Sequence, residues 1–352
     1  MAKSPSTYSK ILIVGCGSIG GVIACSLLEA GLDIAIVATN DEVRTQWREG
    51  GQRLNGRLLA AQLSKENIFS SLQTVHGRFA LVYVAVQALQ VHEVAEQLLD
   101  VLEKGGHVVC LPNGLSDARM GAILGDERVI GAVVSWGASM PRPGHYVQTS
   151  SGGFTIGSLR GHDAHALQVL ALQLEHIGPV KQTTNLRGAR LSKLAINCAI
   201  TALGTIGGST LGKLLLSTHV RKLGLALMRE AVAVAVADGV RLEPVNKIDI
   251  AKLVSAAPSG RRLKKAAQHA LLLAVGTRYR RLRSSMLAAI ERGRTPAIDY
   301  INGEIVSLGK KRGISVPYNQ AAVEIIWQIS RGELSPGKAA LHEFARRAQE
   351  LN

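Results

Sequence analysis

In the first half of the chain, short apolar runs alternate with stretches whose apolar residues recur every three or four positions, a pattern that predicts strands followed by helices. KILIV at 10–14 reads as a buried strand, and after a glycine turn the helical spacing runs over 20–30 until Gly31 stops it. DIAIVA at 33–38, ALVYVAV at 80–86 and HVVCL at 107–111 read as further strands, with helical spacing over 91–103. Two more strand candidates occupy 129–136 and 153–156. These strands are apolar nearly throughout rather than at alternate positions. Both faces of their sheet must therefore be covered, which indicates a mostly parallel α/β arrangement.

Past about residue 160 the period changes. The segments 164–176, 191–206, 220–239 and 286–291 favour helix, and strand signals become rare. VKQTTNLRG at 180–188 is polar enough to connect the two regimes. The expected organisation is an α/β domain over 1–183 followed by an all-α domain over 184–352.

With 352 residues, 47% of them apolar and 19% charged, the chain has room for two domains that bury their own cores, which excludes a disordered protein. The net charge of +15 resides entirely after residue 160, where 28 basic residues face 13 acidic ones, against 13 of each before it. Eight of these cations lie between Arg261 and Arg283, flanking an apolar stretch. Nucleic-acid binding through 261–283 is one reading. Tyr279 is the only aromatic there to stack on a base, so a solvated face is preferred and nucleic acid is not the expected partner.

Cys16, Cys25, Cys110 and Cys198 stand singly among apolar or glycine neighbours and read as reduced, buried thiols. The ten histidines form no H-E-x-x-H or Cys/His cluster, so no metal site is expected. Lys3 and Lys10 before an apolar stretch imitate a signal peptide, but the glycines that follow are spaced for a turn. No uninterrupted apolar run reaches the ~18 residues of a membrane span, and a cytoplasmic protein with no membrane partner is expected.

Gly15-Cys16-Gly17-Ser18-Ile19-Gly20 is a G-x-G-x-x-G placed between a strand and a helix. Gly15 permits the tight turn, Gly17 lets backbone amides approach a pyrophosphate, and Gly20 allows close helix–strand packing. The helix start adds partial positive charge for the anion. The residue that reads the adenosine ribose is expected ~20 positions on, where an acid would favour NAD. Here the chain reads Ala38-Thr39-Asn40-Asp41, with Arg44 able to meet a 2′-phosphate. NADP is favoured, and Asp41 keeps NAD open.

Lys193, Asn197 and Thr201 are spaced i, i+4, i+8 and share one face of a predicted helix whose other positions are largely apolar. From spacing alone, a lysine snorkelling to the surface and one aimed at a cavity or substrate are equally good readings. Further polar islands are Pro112-Asn113-Gly114, Arg283-Ser284-Ser285-Met286 and Ile298-Asp299-Tyr300-Ile301-Asn302-Gly303.

Taken in order, G-x-G-x-x-G, the strand ending in N-G, K-L-x-x-N, S-S-M and I-D-Y-I-N-G resemble the ketopantoate reductase family over about residues 10–320. The resemblance implies a Rossmann domain followed by a helical domain like that of 6-phosphogluconate dehydrogenase, a homodimer, and reversible reduction of a 2-keto acid by NADPH. It assigns Lys193 the role of hydrogen-bonding the keto oxygen and protonating it. It places Asn113 near the nicotinamide and substrate, and makes Asn197, Thr201, Ser284 and Ser285 substrate contacts. Thr39, Arg44 and Gln87 fall at cofactor positions.

Four departures stand out. Ala297 occupies the place of a glutamate before I-D-Y-I-N-G, Thr201 that of a second helix asparagine, Gln87 that of a lysine, and Thr39 that of an arginine. They point to a 2-keto acid bulkier or less polar than ketopantoate. The competing reading is a cofactor-binding sensor that has lost catalysis.

Overall fold

Four apolar residues with no polar position to offer solvent make β1 (Ile11–Val14), and all four are buried. α1 (Ser18–Glu29), β2 (Ile34–Val37), α2 (Asp41–Arg48), β3 (Arg53–Leu54), β4 (Arg57–Leu58), β5 (Ile68–Phe69) and β6 (Phe79–Val84) follow. Next come α3 (Val91–Val101), β7 (Leu102–Cys110), α4 (Ser116–Leu124), β8 (Val129–Val134), β9 (Ala138–Arg142), β10 (His145–Gln148), β11 (Phe154–Ser158), α5 (Ala164–Leu174) and β12 (Val180–Gln182). The computed structural model describes residues 10–160, 164–245, 248–255 and 262–352. It divides into two compact units, Met1–Leu186 and Arg187–Asn352.

The first unit is built on an eight-stranded sheet in the order β12-β11-β8-β7-β6-β1-β2-β5. Every pairing is parallel except that of β11 with β8. Strand order runs outward from β1 in both directions, so the crossover reverses between β1 and β6. In such a sheet the crevice outside the strands' carboxyl ends at that reversal is where ligands bind.

The period-two alternation of a strand sends Ile11 and Ile13 to one face, where they pack with Val22, Ile23 and Leu27 of α1 and Leu170 of α5. Leu12 and Val14 go to the other face, with Val94 and Leu98 of α3 and Met120 of α4. Both faces are covered, as the apolar strands require. All four cysteines are buried, and none forms a disulfide.

Two features depart from the sequence reading. Residues 180–188 are not a simple connection, because Val180–Gln182 pairs with β11 as the sheet's edge. Its polarity is that of an edge strand, with Lys181 and Gln182 exposed. A second sheet, ordered β4-β3-β10-β9, was also not anticipated. Its β3–β4 hairpin turns on Asn55 (φ 53°) and Gly56 (φ 83°), and two successive positive φ values are what a two-residue hairpin loop demands.

The second unit is helical among the described residues, apart from an isolated bridge between Val245 and Ile248. α6 (Leu186–Ile206) begins earlier than the apolar spacing suggests and crosses the division. It is followed by α7 (Leu211–Leu216), α8 (Thr218–Ala237), α9 (Ile250–Val254), α10 (Arg262–Arg278) and α11 (Ser285–Ile290). α12 (Asn302–Arg312), α13 (Pro317–Ser330) and α14 (Lys338–Glu350) complete it.

Of the basic segment, Arg261 and the side chains of Arg262, Lys264 and Lys265 lie outside the described residues. Arg278, Arg280, Arg281 and Arg283 are exposed, and Arg283 pairs with Glu291 at 2.9 Å. Among the described residues, no helix is long and apolar enough to cross a membrane.

Candidate active site

Four neighbouring parallel strands, β7, β6, β1 and β2, end beside one another. The residues that follow them are Asn113, Gln87, the glycine turn and Thr39, so four stretches far apart in sequence meet along one sheet edge. Gly15 takes φ +96°, and a Cβ there would sit 3.0 Å from the Ala85 carbonyl carbon, at the reversal point between β1 and β6. A Cβ on Gly20 would collide with the Gly15 carbonyl oxygen, so the turn closes only with glycine at both ends.

Gly17 has no heavy atom within 4 Å of where its Cβ would be. It also caps α1, which begins two residues before the expected start because Ser18 and Ile19 already take helical geometry. With no side chain at that cap and no acid in the first turn, the first amides of α1 are left to an external acceptor. Cys16 is buried beneath the turn, Ser18 and Ile19 are half-buried, and Gly17 is exposed.

At the end of β2, Thr39 is exposed and Asn40 caps α2 by accepting from Val43 N at 2.8 Å. Arg44 donates to the Ala38 carbonyl at 2.6 Å and pairs with Asp41. Asp41, which by sequence alone competes for a ribose, is thus engaged by the arginine that would meet a 2′-phosphate. Gln87 and Asn113 both present exposed side chains, and the Asn113 carbonyl accepts from Ser116 Oγ at 2.7 Å, bracing the loop. This edge fits a dinucleotide: open space at Gly17, uncapped amides, and a half-buried guanidinium one strand away.

Sequence reasoning missed what lies under the turn. Tyr146 of β10 is buried there, its hydroxyl accepting from Trp47 Nε1 at 3.0 Å and donating to the Cys16 carbonyl at 3.2 Å. The Asn55-Gly56 dipeptide was the available signal for the small sheet that carries it.

In the second unit, Lys193, Asn197 and Thr201 are each half-buried along α6, while Leu194, Ala195, Cys198, Ala199, Ala202 and Leu203 are buried. The polar stripe lies on the partly accessible side of this stretch of helix, which it shares with Ile196 and Ile200. Burial, with Arg190 as a second and smaller influence, lowers the Lys193 pKa to about 7.

The S-S-M island meets this helix at close range. A Cβ on Gly204 would sit 3.0 Å from Ser284 Cβ. Ser284 is buried, and its hydroxyl lies 2.8 Å from Thr205 Oγ1 and 3.2 Å from the Thr201 carbonyl while accepting from Leu287 N as the cap of α11. Its hydroxyl is thus engaged in structure. Ser285 is exposed and is the serine of the pair left to meet a ligand.

The I-D-Y-I-N-G island divides in the same way. Ala297 is half-buried at the head of a 3₁₀ turn, whereas Asn302 is fully buried and donates to the Cys198 carbonyl of α6 at 3.2 Å and to Asn319 Oδ1 at 2.9 Å. Asn319 in turn donates to Glu230 at 2.7 Å, and that carboxylate also accepts from Tyr318 N and Asn319 N at the start of α13. Asn302 therefore ties α6 to α13 through its amide N–H groups. Among the described residues, no three His, Cys, Asp or Glu side chains cluster as metal ligands.

Family models described as ketopantoate reductase PanE/ApbA and ketopantoate reductase PanE/ApbA C terminal match residues 11–161 and 185–330. The 2-dehydropantoate 2-reductase of Archaeoglobus fulgidus is 24% identical over 324 residues, 92% of this chain and 98% of that one. Among solved structures, a PanE/ApbA family ketopantoate reductase from Ralstonia eutropha JMP134 superposes with a TM-score of 0.75 at 27% identity, covering 92% of this chain and 99% of that one. A D-mandelate dehydrogenase bound to NADH and anilino(oxo)acetate has a TM-score of 0.74 at 20% identity, covering 97% and 99%.

Proposed function

The chain belongs to the ketopantoate reductase family, and from that premise we propose that it reduces a 2-keto acid to the 2-hydroxy acid with NADPH, on a substrate less polar than ketopantoate. The observation that supports this reading is the stripe of Lys193, Asn197 and Thr201, a lysine with a pKa of about 7 beside two neutral hydrogen-bonding side chains on one packed helix.

When bound, the dinucleotide supplies a hydride to the keto carbon. Gly15 to Gly20 bind its pyrophosphate through backbone amides, and Arg44 takes the 2′-phosphate. Thr39, Gln87 and Asn113 line its course along the strand ends. Lys193 Nζ hydrogen-bonds the keto oxygen and donates the proton that the alkoxide requires. Its charge acts where negative charge grows as the carbonyl is reduced, and so lowers the barrier rather than merely binding the substrate. Asn197 and Thr201 donate to the keto acid's oxygens without a second buried cation, and Ser285 meets its carboxylate. Assembly as a homodimer belongs to the same proposal, and sedimentation velocity giving a monomer at all concentrations would remove that part.

Ala297 sets the substrate. The carboxylate that the family carries at this position accepts a hydrogen bond from a substrate hydroxyl, and a site that pairs such a hydroxyl discriminates far better than an apolar one. Ketopantoate and 3,3-dimethyl-2-oxobutanoate differ by that single hydroxyl. The wild type is expected to reduce the hydroxyl-free acid at least as well as ketopantoate, and Ala297→Glu to shift the ratio of kcat/KM about tenfold towards ketopantoate. A D-mandelate dehydrogenase of the same fold is bound to NADH and anilino(oxo)acetate, a ligand that carries an aromatic ring. A wild type already strongly selective for ketopantoate would overturn the substrate assignment.

A further inference from the structure

One buried polar contact beneath the glycine turn plays no part in the proposed chemistry. The Tyr146 ring lies where a side chain at position 21 would be, since a Cβ on Gly21 would collide with its Cε1, Cδ1 and Cζ. The glycines of this segment therefore serve two purposes: Gly15 and Gly20 close the turn, while Gly21 makes room for a tyrosine delivered by the small sheet.

The tyrosine's hydroxyl is held on both sides. Trp47 Nε1 donates to it, which directs its own proton to the remaining neighbour, the Cys16 carbonyl. Burial raises the pKa of Tyr146 well above that of a free phenol, so the donor persists across any working pH.

The consequence lies in the peptide that joins Cys16 to Gly17. In a planar trans peptide the C=O and N–H point in opposite directions. Fixing the Cys16 oxygen on a buried hydroxyl therefore turns the Gly17 N–H away from the interior. A Cβ built on Gly17 would meet nothing within 4 Å apart from its chain neighbours, so the turn is open on that side.

We propose that Tyr146 is a positioning residue for the dinucleotide, clamping the Cys16–Gly17 peptide so that the Gly17 N–H is presented to the pyrophosphate. The proposal rests on the dinucleotide-dependent reading above. Trp47 extends the clamp to α2, three residues from Arg44, so the turn that takes the pyrophosphate and the arginine assigned to the 2′-phosphate are braced by one hydrogen-bonded pair.

Tyr146→Phe keeps the ring against Gly21 and removes only the hydroxyl. NADPH fluorescence titration should show the Kd raised about tenfold, the equilibrium worth of one hydrogen bond, with KM for NADPH rising in step. The kcat at saturating NADPH should stay within about twofold of wild type, because the reacting groups are untouched. Trp47→Phe, which removes the donor that orients the hydroxyl, should raise the Kd about threefold, and it carries the test if Tyr146→Phe does not fold.

A folded Tyr146→Phe with wild-type NADPH affinity, or with a loss confined to kcat, overturns the clamp and leaves the reductase reading intact. Where Trp47→Phe stands alone, an unchanged NADPH affinity in that variant overturns the clamp equally. A wild-type protein that binds neither NADPH nor NADH removes both the clamp and the reading it rests on.

Discussion

Lys193→Ala should lower kcat for keto-acid reduction by about 10²- to 10⁴-fold, the range of a lost general acid, while the Kd for NADPH stays unchanged. The lysine lies on α6, and none of the residues assigned to the dinucleotide does. The pH dependence follows with a definite sign. Reduction uses the protonated amine, and Lys193 has a pKa of about 7. The wild-type rate should be level below that pH and fall about tenfold per unit above it, while oxidation of the 2-hydroxy acid, which uses the neutral amine, should rise with pH. Lys193→Ala should lose both limbs. Stopped-flow measurement of NADPH oxidation from pH 5.5 to 9 checks this. A folded variant that keeps near-normal turnover assigns the lysine to structure, and a wild type that binds NADPH yet turns over no 2-keto acid would favour the sensor reading.

Gly17→Val should weaken NADPH binding about 100-fold or more without unfolding the protein. At φ −74° the position tolerates any L residue, and nothing within 4 Å opposes a Cβ there. What the side chain would fill is the space outside the turn, so it displaces the pyrophosphate from the first amides of α1 and forfeits charge-assisted hydrogen bonds each worth ~1.5–3 kcal/mol. Gly20→Val makes the contrast, because its Cβ collides with the Gly15 carbonyl and should lower the melting temperature as well as the affinity. Isothermal titration with NADPH beside thermal melts of both variants decides it. Unchanged affinity in Gly17→Val would show that the pyrophosphate does not lie against this turn.

Three polar side chains have partners that the order of residues does not reveal. Asp41 pairs with Arg44 one helical turn along α2, where the cap set by Asn40 brings the two together. Ser284 and Ser285 are equivalent in sequence, but the first is the cap of α11 and is buried against Gly204. Asn302 belongs to a legible motif and spends its amide on the Cys198 carbonyl and Asn319. In each case a neighbour in space, set by packing, decided what a polar side chain does.

Whatever depends on local period and turn chemistry is legible in the order of residues. Apolar runs such as ILIV suit buried strands, the glycines at 15, 17 and 20 allow the tight strand-to-helix turn, and i, i+4, i+8 spacing aligns Lys193, Asn197 and Thr201 on any helix. Those constraints act over a few residues and need no partner. Packing set the rest: the edge pairing of Val180–Gln182 with β11, the seating of Tyr146 under a turn 130 residues earlier, and the lowering of the Lys193 pKa to about 7. Each depends on which surfaces meet, because desolvation and hydrogen-bond partnership are properties of an enclosure, and the enclosure exists only once segments distant along the chain have packed together.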